Sequence, residues 1–133
     1  MPEQTQRRRR SLEIPGVNHG GAPIPMGARV GNTIYSSGIA GRDPASNTLP
    51  DDIAKQAEFA FSNMKALLDA GEATLDSVVR MTVFITDDSA RAAVNEQWLK
   101  YFPDPQDRPA RHTVVPDLPG GMLVQLEIVA VIA

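Results

Sequence analysis

The sequence contains no cysteine, and this absence excludes several kinds of site at once. Without a thiol, the chain cannot form a disulfide, a thiolate nucleophile, a cysteine-ligated zinc site or an iron–sulfur cluster. Its two histidines, His19 and His112, are too few and too isolated for a histidine-rich metal site, so we expect no metal. A chain without cysteine also suits a reducing compartment, and we expect a cytoplasmic protein.

Long hydrophobic runs are missing as well. No apolar stretch follows the basic residues near the N-terminus, so the sequence does not predict a secretory signal. The longest apolar run lies near the C-terminus, where Gln125 and Glu127 interrupt it, and it is too short to span a bilayer. The chain has 133 residues, of which 42% are hydrophobic and 22% charged, and this favours one globular domain without a membrane partner.

Positive charge is concentrated in one short segment. Residues 1–10 hold four arginines, Arg7 to Arg10, and one glutamate, a charge of +3; because the whole chain carries −3, the rest carries −6. An acidic body does not favour nucleic acid as a partner, since nucleic-acid-binding proteins spread basic charge over one face. We interpret residues 1–21 as a flexible, arginine-bearing tail and loop, and residues 22–133 as the folded domain.

Hydrophobic periodicity predicts the element order ββαβαββ in a single α+β domain. A helix is predicted from Asp51 to Gly71, because acidic residues at its start and a glycine at its end flank an apolar stripe. A second helix is predicted from residue 89 to about residue 102. Strands are predicted at 26–30 and 33–37 around a Gly31-Asn32 turn, and at 78–86, 108–115 and 122–133. We expect both helices to pack on one face of a mixed sheet.

The last predicted strand indicates how the protein assembles. One set of its alternating residues is wholly apolar, and the other set is mostly apolar, with Gln125 and Glu127 as its polar members. A strand that is apolar on both faces needs cover on both sides. Two helices can cover only one face of so small a sheet, so we expect another copy of the chain on the other face.

Two charged residues in apolar strands are the main candidates for chemistry. Arg111 is either a surface residue whose stem snorkels or a fixed fork for a carboxylate. Glu127, the only charged residue from 122 to 133, is either a rim residue or a desolvated carboxylate that can move protons. For His19 and Asn95 the sequence leaves two roles open: each is either an exposed surface residue or a residue of the site.

Several short motifs occur in a consistent order between residues 22 and 133. They are Ile34-Tyr35-Ser36-Ser37-Gly38, Gln56 with Asn63 and Leu67, the run 78–87, Val94-Asn95, Arg108-Pro109-Ala110-Arg111 and Val124-Gln125-Leu126-Glu127. Each motif is weak alone, but together the chain resembles the Rid (YjgF-type) family of enamine/imine deaminases. The resemblance implies a chorismate-mutase-like α+β fold assembled as a homotrimer, with active sites at the subunit interfaces.

The resemblance also implies an activity and the residues that perform it. The activity is cofactor-free hydrolysis of 2-enamino or 2-imino acids to 2-keto acids and ammonia, as in a 2-iminobutanoate/2-iminopropanoate deaminase. Arg111 would bind the substrate carboxylate, which suits a bidentate guanidinium, and Glu127 would lie beside the attacking water. The resemblance further implies four substrate-binding residues, Ser37, Gly38, Asn95 and Thr113.

Two positions depart from the family pattern. Ile24 stands where many members have a tyrosine, and Thr113 stands where many have a cysteine. The missing tyrosine removes a hydroxyl from the expected pocket. His19 and His112 are candidates to replace that polar group; otherwise the pocket, with Ile24 in its wall, suits a larger and more apolar imine.

Three alternatives to a deaminase of small imines stay open. The first is a pathway-specific deaminase that acts on a larger unsaturated amino acid in a catabolic route. The second is a non-catalytic protein that binds a small carboxylate in the same pocket. The third is RNA binding or cleavage, which is disfavoured by the acidic body, the absence of a catalytic histidine pair and an aromatic content of 5%.

Overall fold

The computed structural model describes residues 8–133, which form a mixed sheet covered by two helices on one face. The strands are β1 (Arg10–Leu12), β2 (Gly27–Val30), β3 (Thr33–Ser36), β4 (Ile39–Ala40), β5 (Val78–Ile85), β6 (Ala110–Val114) and β7 (Val124–Val131). The helices are α1 (Ile53–Ala70) and α2 (Arg91–Tyr101). The strand order is β1-β2-β3-β7-β5-β6, with β4 also paired to β7, and β5–β6 is the parallel pair. The predicted α+β architecture is confirmed.

The first helix begins and ends where its sequence predicts. The carboxylate of Asp52 accepts a hydrogen bond from the amide of Ala54 (3.2 Å), and Gly71 closes the C-terminus. Its inward face, which carries Phe61, Met64 and six further buried residues, packs on the sheet. No helix within residues 8–133 is long and apolar enough to cross a membrane.

The two faces of β7 have different surroundings. Val124, Leu126, Ile128 and Ala130 are at most 1% exposed and face the helices. The alternate residues, which include Glu127 and Val131, lie half-buried or exposed on the opposite face of the sheet, called the open face below. The helices therefore cover one face only, as predicted. That a second copy of the chain covers the open face stays a prediction.

The N-terminal segment differs from its predicted description as a tail and loop. Of the predicted tail arginines, Arg7 lies outside the described residues, but Arg10 begins β1, which pairs with β2, and its side chain contacts Glu72 at 3.2 Å. Leu12, Ile14 and Val17 are at most 4% exposed and belong to the core. The described part of this segment therefore packs on the sheet and core, because three spaced apolar residues anchor it despite the arginines that precede them.

Candidate active site

The chain between β3 and β4 contains one extra residue, and this irregularity shapes the site. Tyr35 pairs with Val129, and Ile39 pairs with Leu126. Ile39 is four residues after Tyr35, whereas Val129 and Leu126 are only three residues apart on β7. The amide of Ile128 donates a hydrogen bond to the hydroxyl of Ser36 (2.8 Å), which replaces a backbone acceptor where the pairing between β3 and β7 stops. Such a bulge pushes the chain out of the sheet and turns backbone groups outward. The predicted residues Ser37 and Gly38 occupy this bulge.

Ser37 and Gly38 are held from both sides. The Ser37 hydroxyl donates to the carbonyl oxygen of Pro25 (2.7 Å), and its amide donates to the carbonyl of Met26 (2.9 Å). At Gly38, a Cβ would lie 2.6 Å from the Gln125 side chain, so the carboxamide of Gln125 lies against the glycine backbone. Only glycine allows this close approach without displacing Gln125.

His19 ties the loop before β2 to the bulge. Its Nε2 lies 3.2 Å from the carbonyl oxygen of Gly38, and its Nδ1 lies 3.3 Å from that of Ile24. Ile24 itself is 49% exposed, so its side chain stands at the surface beside this contact. A cavity of about 120 Å³, called the Gly38 cavity below, opens behind the bulge, and its lining includes His19, Gly38, Arg42 and Gln125.

Glu127 lies next to the bulge on the open face of the sheet. Its position on β7 is opposite the interruption between β3 and β4, and its side chain is exposed. A shallow cavity of about 260 Å³ on the same face is bordered by Glu127, Tyr35, Arg80 and Thr82 among others. In the isolated chain this carboxylate therefore meets water rather than an apolar core.

Arg111 lies on the other face of the sheet, between β6 and α2. Its Cζ stands 5.1 Å from the centroid of the Trp98 ring, and its Nε donates to the hydroxyl of Thr113 (3.3 Å). A guanidinium over an indole face is held by a cation–π attraction. The two contacts fix the plane of the guanidinium, whose terminal nitrogens donate no hydrogen bond to any of residues 8–133.

The electrostatics around Arg111 favour an anion. Burial, and secondly the charge of Arg91, lower the pKa of Arg111 from its ordinary value. Among residues 8–133, no carboxylate forms an ion pair with this guanidinium. A half-buried cation near a second cation is costly unless an opposite charge joins them. A bound anion at this position would offset that cost.

The structure does not bring Arg111 and Glu127 together within one chain. Arg111 is in register with Met81, which is buried against the helices, whereas Glu127 is in register with Thr82 on the open face. His112 is also in register with Thr82 and is exposed, so it shares the face of Glu127 and not that of Arg111. The predicted site residues thus form two separate groups on opposite faces of the sheet.

The remaining predicted residue, Asn95, belongs with the Arg111 group. It is exposed on α2, one helical turn from both Arg91 and Trp98, and this spacing places the three side chains along one side of the helix. Because Trp98 contacts Arg111, that side of α2 faces the guanidinium. Thr113 joins the same group through its hydroxyl.

The sequence did not single out Arg42, Arg91 or Trp98 as site residues, and Gln125 entered only as a polar residue of the last strand and of one motif. The spacing of Arg91, Asn95 and Trp98 at i, i+4 and i+7 was a usable signal for a shared helix side. Nothing in the sequence marks Gln125 or Arg42, because their roles depend on the bulge and on β7 beside it. Within the described part of the chain, no three His, Asp or Glu side chains are grouped so as to hold a metal ion.

Comparisons with known proteins agree with the motifs. Residues 24–132 match the family model described as Endoribonuclease L-PSP. A protein of Dermatophagoides farinae called 2-iminobutanoate/2-iminopropanoate deaminase is 36% identical over 118 residues, which cover 84% of this chain and 91% of its own length. The putative reactive intermediate deaminase TdcF of Escherichia coli K12 is 32% identical over 111 residues, covering 82% and 86%.

Solved structures show the same fold. RidA from an Antarctic Psychrobacter matches with a TM-score of 0.83 and 33% identity, over 92% of this chain and 99% of that one. E. coli TdcF with bound serine matches with a TM-score of 0.84 and 28% identity, over 93% and 99%. The model match, the sequence relatives and these structures agree with the motifs around Gly38, Arg111 and Glu127: the chain belongs to the Rid (YjgF-type) family.

Proposed function

We propose that this protein is a deaminase that hydrolyses 2-imino and 2-enamino acids to 2-keto acids and ammonia. The observation that carries the proposal is Arg111, a half-buried guanidinium that is held against Trp98 and has no carboxylate partner in residues 8–133. A planar fork fixed in this way suits the carboxylate of an imino acid. The names of the relatives, which include 2-iminobutanoate/2-iminopropanoate deaminase, support the reaction class.

The reaction needs water at the imine carbon and a group that moves protons. Glu127 would accept a proton from the attacking water as the carbon–oxygen bond forms, and would return it to the nitrogen. The resulting tetrahedral carbinolamine then releases ammonia and leaves the keto acid. Arg111 would hold the carboxylate next to the reacting carbon, so the two residues are proposed to act on opposite ends of one small molecule.

A site that needs both residues must combine two copies of the chain. Arg111 and Glu127 lie on opposite faces of the sheet in one chain, so a single copy supplies only one of them to a given cleft. We therefore propose a homotrimer in which the open face of each sheet packs against neighbouring copies. Each cleft would take Arg111 from one subunit and Glu127 from the next.

The experiment mixes two inactive variants. Arg111→Met and Glu127→Gln are each expected to lose imine hydrolysis, measured as ammonia release from imines that an amino-acid oxidase generates. After unfolding and refolding as an equimolar mixture, about a quarter of the clefts contain both native residues if subunits assort randomly. Recovery of about a quarter of the parental rate supports the shared site, and a mixture as inactive as its components contradicts it.

A non-catalytic carboxylate-binding protein is the second candidate. The observation that favours it is that one chain already holds a complete anion fork at Arg111 without Glu127 nearby. A TdcF structure was solved with bound serine, so a relative does bind a small carboxylate. Tight binding of a 2-keto acid to the oligomer, with no acceleration of imine hydrolysis, would support this function instead.

A further inference from the structure

The Gly38 cavity is unlike the rest of the open face because its polar lining is positive. Arg42 is half-buried and lines the cavity, and its Nη1 donates to the carbonyl oxygen of Asn47 (2.9 Å). Among residues 8–133, no carboxylate pairs with Arg42, and the cavity lining contains no acidic residue. The carboxylate of the neighbouring residue, Asp43, instead accepts a hydrogen bond from the amide of Ala45 (2.9 Å). Arg42 therefore brings an unneutralised charge to an enclosed space.

His19 forms part of the cavity wall beside Gly38. Its Nε2 lies 3.2 Å from the carbonyl oxygen of Gly38 and its Nδ1 lies 3.3 Å from that of Ile24, and these two contacts hold the ring in place. The carboxamide of Gln125 completes the wall and can donate a further hydrogen bond.

The cavity has the size of a small functional group. Its volume of about 120 Å³ corresponds to roughly four water molecules at about 30 Å³ each, which is enough for a carboxylate with one or two methylene groups. Val17 and Met26 supply an apolar floor for the methylenes. A space of this size suits one end of a longer substrate, so it can serve as a subsite.

The cavity lies at a defined distance from Glu127. Gln125 and Glu127 are two residues apart on β7, so their side chains share the open face and their Cα atoms are about 7 Å apart. Gly38 borders the cavity and is also a predicted substrate contact at the bulge. With carbon–carbon bonds of about 1.5 Å, a chain of about five bonds covers this distance.

We propose that the Gly38 cavity is a specificity subsite for a second, distal carboxylate of the substrate, which Arg42 binds with the carboxamide of Gln125 as a further donor. This inference rests on the proposed function and narrows it to dicarboxylic 2-imino or 2-enamino acids whose distal carboxylate oxygens lie about five bonds from the reacting carbon. Arg111 holds the carboxylate next to the reacting carbon, and Arg42 holds the distal one. Ile24 stands where many members of the family have a tyrosine, so this loop presents an apolar side chain instead of a hydroxyl. An apolar side chain here is compatible with the methylene chain of a longer substrate.

The test compares two 2-keto acids of equal length, which stand for the products. 2-Oxoadipate carries a distal carboxylate, and 2-oxohexanoate ends in a methyl group at the same position. Calorimetry on the full-length oligomer is expected to show that 2-oxoadipate binds at least about tenfold more tightly, a difference of about 1.4 kcal/mol. The same preference is expected in kcat/KM for the corresponding imines.

Variants assign the preference to the cavity. Arg42→Gln is expected to reduce the preference for 2-oxoadipate to less than about threefold while leaving the affinity for 2-oxohexanoate unchanged. Arg42→Lys keeps the charge and is expected to retain most of the preference. Lys65→Gln removes an exposed positive charge from α1, far from the cavity, and is the matched control. Equal affinity of the parent for the two acids, or a preference that survives Arg42→Gln, overturns the subsite.

The proposed function fails in a different way. Arg111→Lys is expected to weaken both keto acids by a similar factor, because both present the same carboxylate to the fork. If Arg111→Lys weakens both acids and the parent does not prefer 2-oxoadipate, the deaminase site stands and the distal subsite is wrong. If neither acid depends on Arg111, the proposed function is wrong, and the subsite that rests on it is wrong as well.

Discussion

Arg111 is expected to separate activity from stability more clearly than any other residue of this protein. Most substitutions of a half-buried side chain lower the stability of the fold, since they remove contacts. Arg111 differs because burial and the neighbouring Arg91 both disfavour its charge in the folded state, which is why its pKa is lowered. Replacing it with methionine keeps a flexible apolar stem against Trp98 and removes the charge.

The expected effect on stability is small. The cation–π contact with Trp98 contributes about 0.5–1 kcal/mol, and losing it is offset by relief of the desolvated charge. The hydrogen bond from Nε to Thr113 is long, at 3.3 Å, and adds little. Arg111→Met is therefore expected to change the free energy of unfolding by less than about 1 kcal/mol, or the Tm by less than about 4 °C.

The expected effect on catalysis is large. Loss of a charge-assisted, bidentate contact to the substrate carboxylate costs about 2–4 kcal/mol of transition-state stabilisation, which lowers kcat/KM by roughly two to three decades. Arg111→Lys is expected to impair catalysis nearly as much, since a lysine keeps the charge but not the planar fork. Imine hydrolysis and thermal unfolding are measured on the same preparations, with Lys100→Met on α2 as an exposed control. Parental kcat/KM in Arg111→Met or Arg111→Lys would refute the carboxylate-binding role.

Three further predictions concern assembly, the N-terminal segment and pH. Val129→Lys places a charge on the open face and is expected to shift the protein towards monomer in light scattering, whereas Leu99→Lys, at a position 55% exposed on α2, leaves the mass unchanged. Leu12→Ala is expected to lower the free energy of unfolding by about 2–4 kcal/mol in urea denaturation, because Leu12 is 3% exposed; a loss below about 0.5 kcal/mol would mean that the segment is a tail after all. Hydrogen bonds from the backbone and side chain of Ser89 lower the pKa of Asp87 from its ordinary value of 3.8. Its carboxylate therefore stabilises the fold fully at pH values above 3.8, and this stabilisation is lost as the pH falls through the lower pKa of the folded state. Asp87→Ala is therefore expected to lower the Tm at pH 7 and to lower it less and less as the pH falls below 3.8.

The elements that could be predicted from the sequence are those whose signals are local. The helix α1 follows from Asp52 at its start, Gly71 at its end and an apolar stripe between them, and all three features depend only on nearby residues. The hairpin of β2 and β3 follows from Gly31 and Asn32, and Gly31 has the positive φ of 58° that such a turn uses. These features were predicted with boundaries within a few residues.

What could not be predicted depends on residues that are distant in sequence. The strand β1 is three residues long and follows a run of arginines, so its pairing with β2 has no local signal. The strand β4 has two residues, and its pairing with β7 is visible only when both are placed in the sheet. The separation of Arg111 from Glu127 depends on the register of β5 with both β6 and β7, and the alternation within one strand does not reveal which face is covered.

The same tertiary arrangement explains why ligand binding and stability should be linked in this protein. The fold holds Arg111 near Arg91, and within residues 8–133 neither has a buried counter-charge, because Arg91 pairs with the exposed Asp88, at 2.8 Å. An anion that binds the folded protein and not the unfolded chain supplies that counter-charge and raises the free energy of unfolding by RT ln(1 + [L]/Kd), or about 2.7 kcal/mol at a hundredfold excess over Kd. A 2-keto acid should therefore raise the Tm of the parent and of Lys100→Met, but not of Arg111→Met. An equal rise in all three would place the anion elsewhere on the surface, where Arg111 does not contribute to its binding.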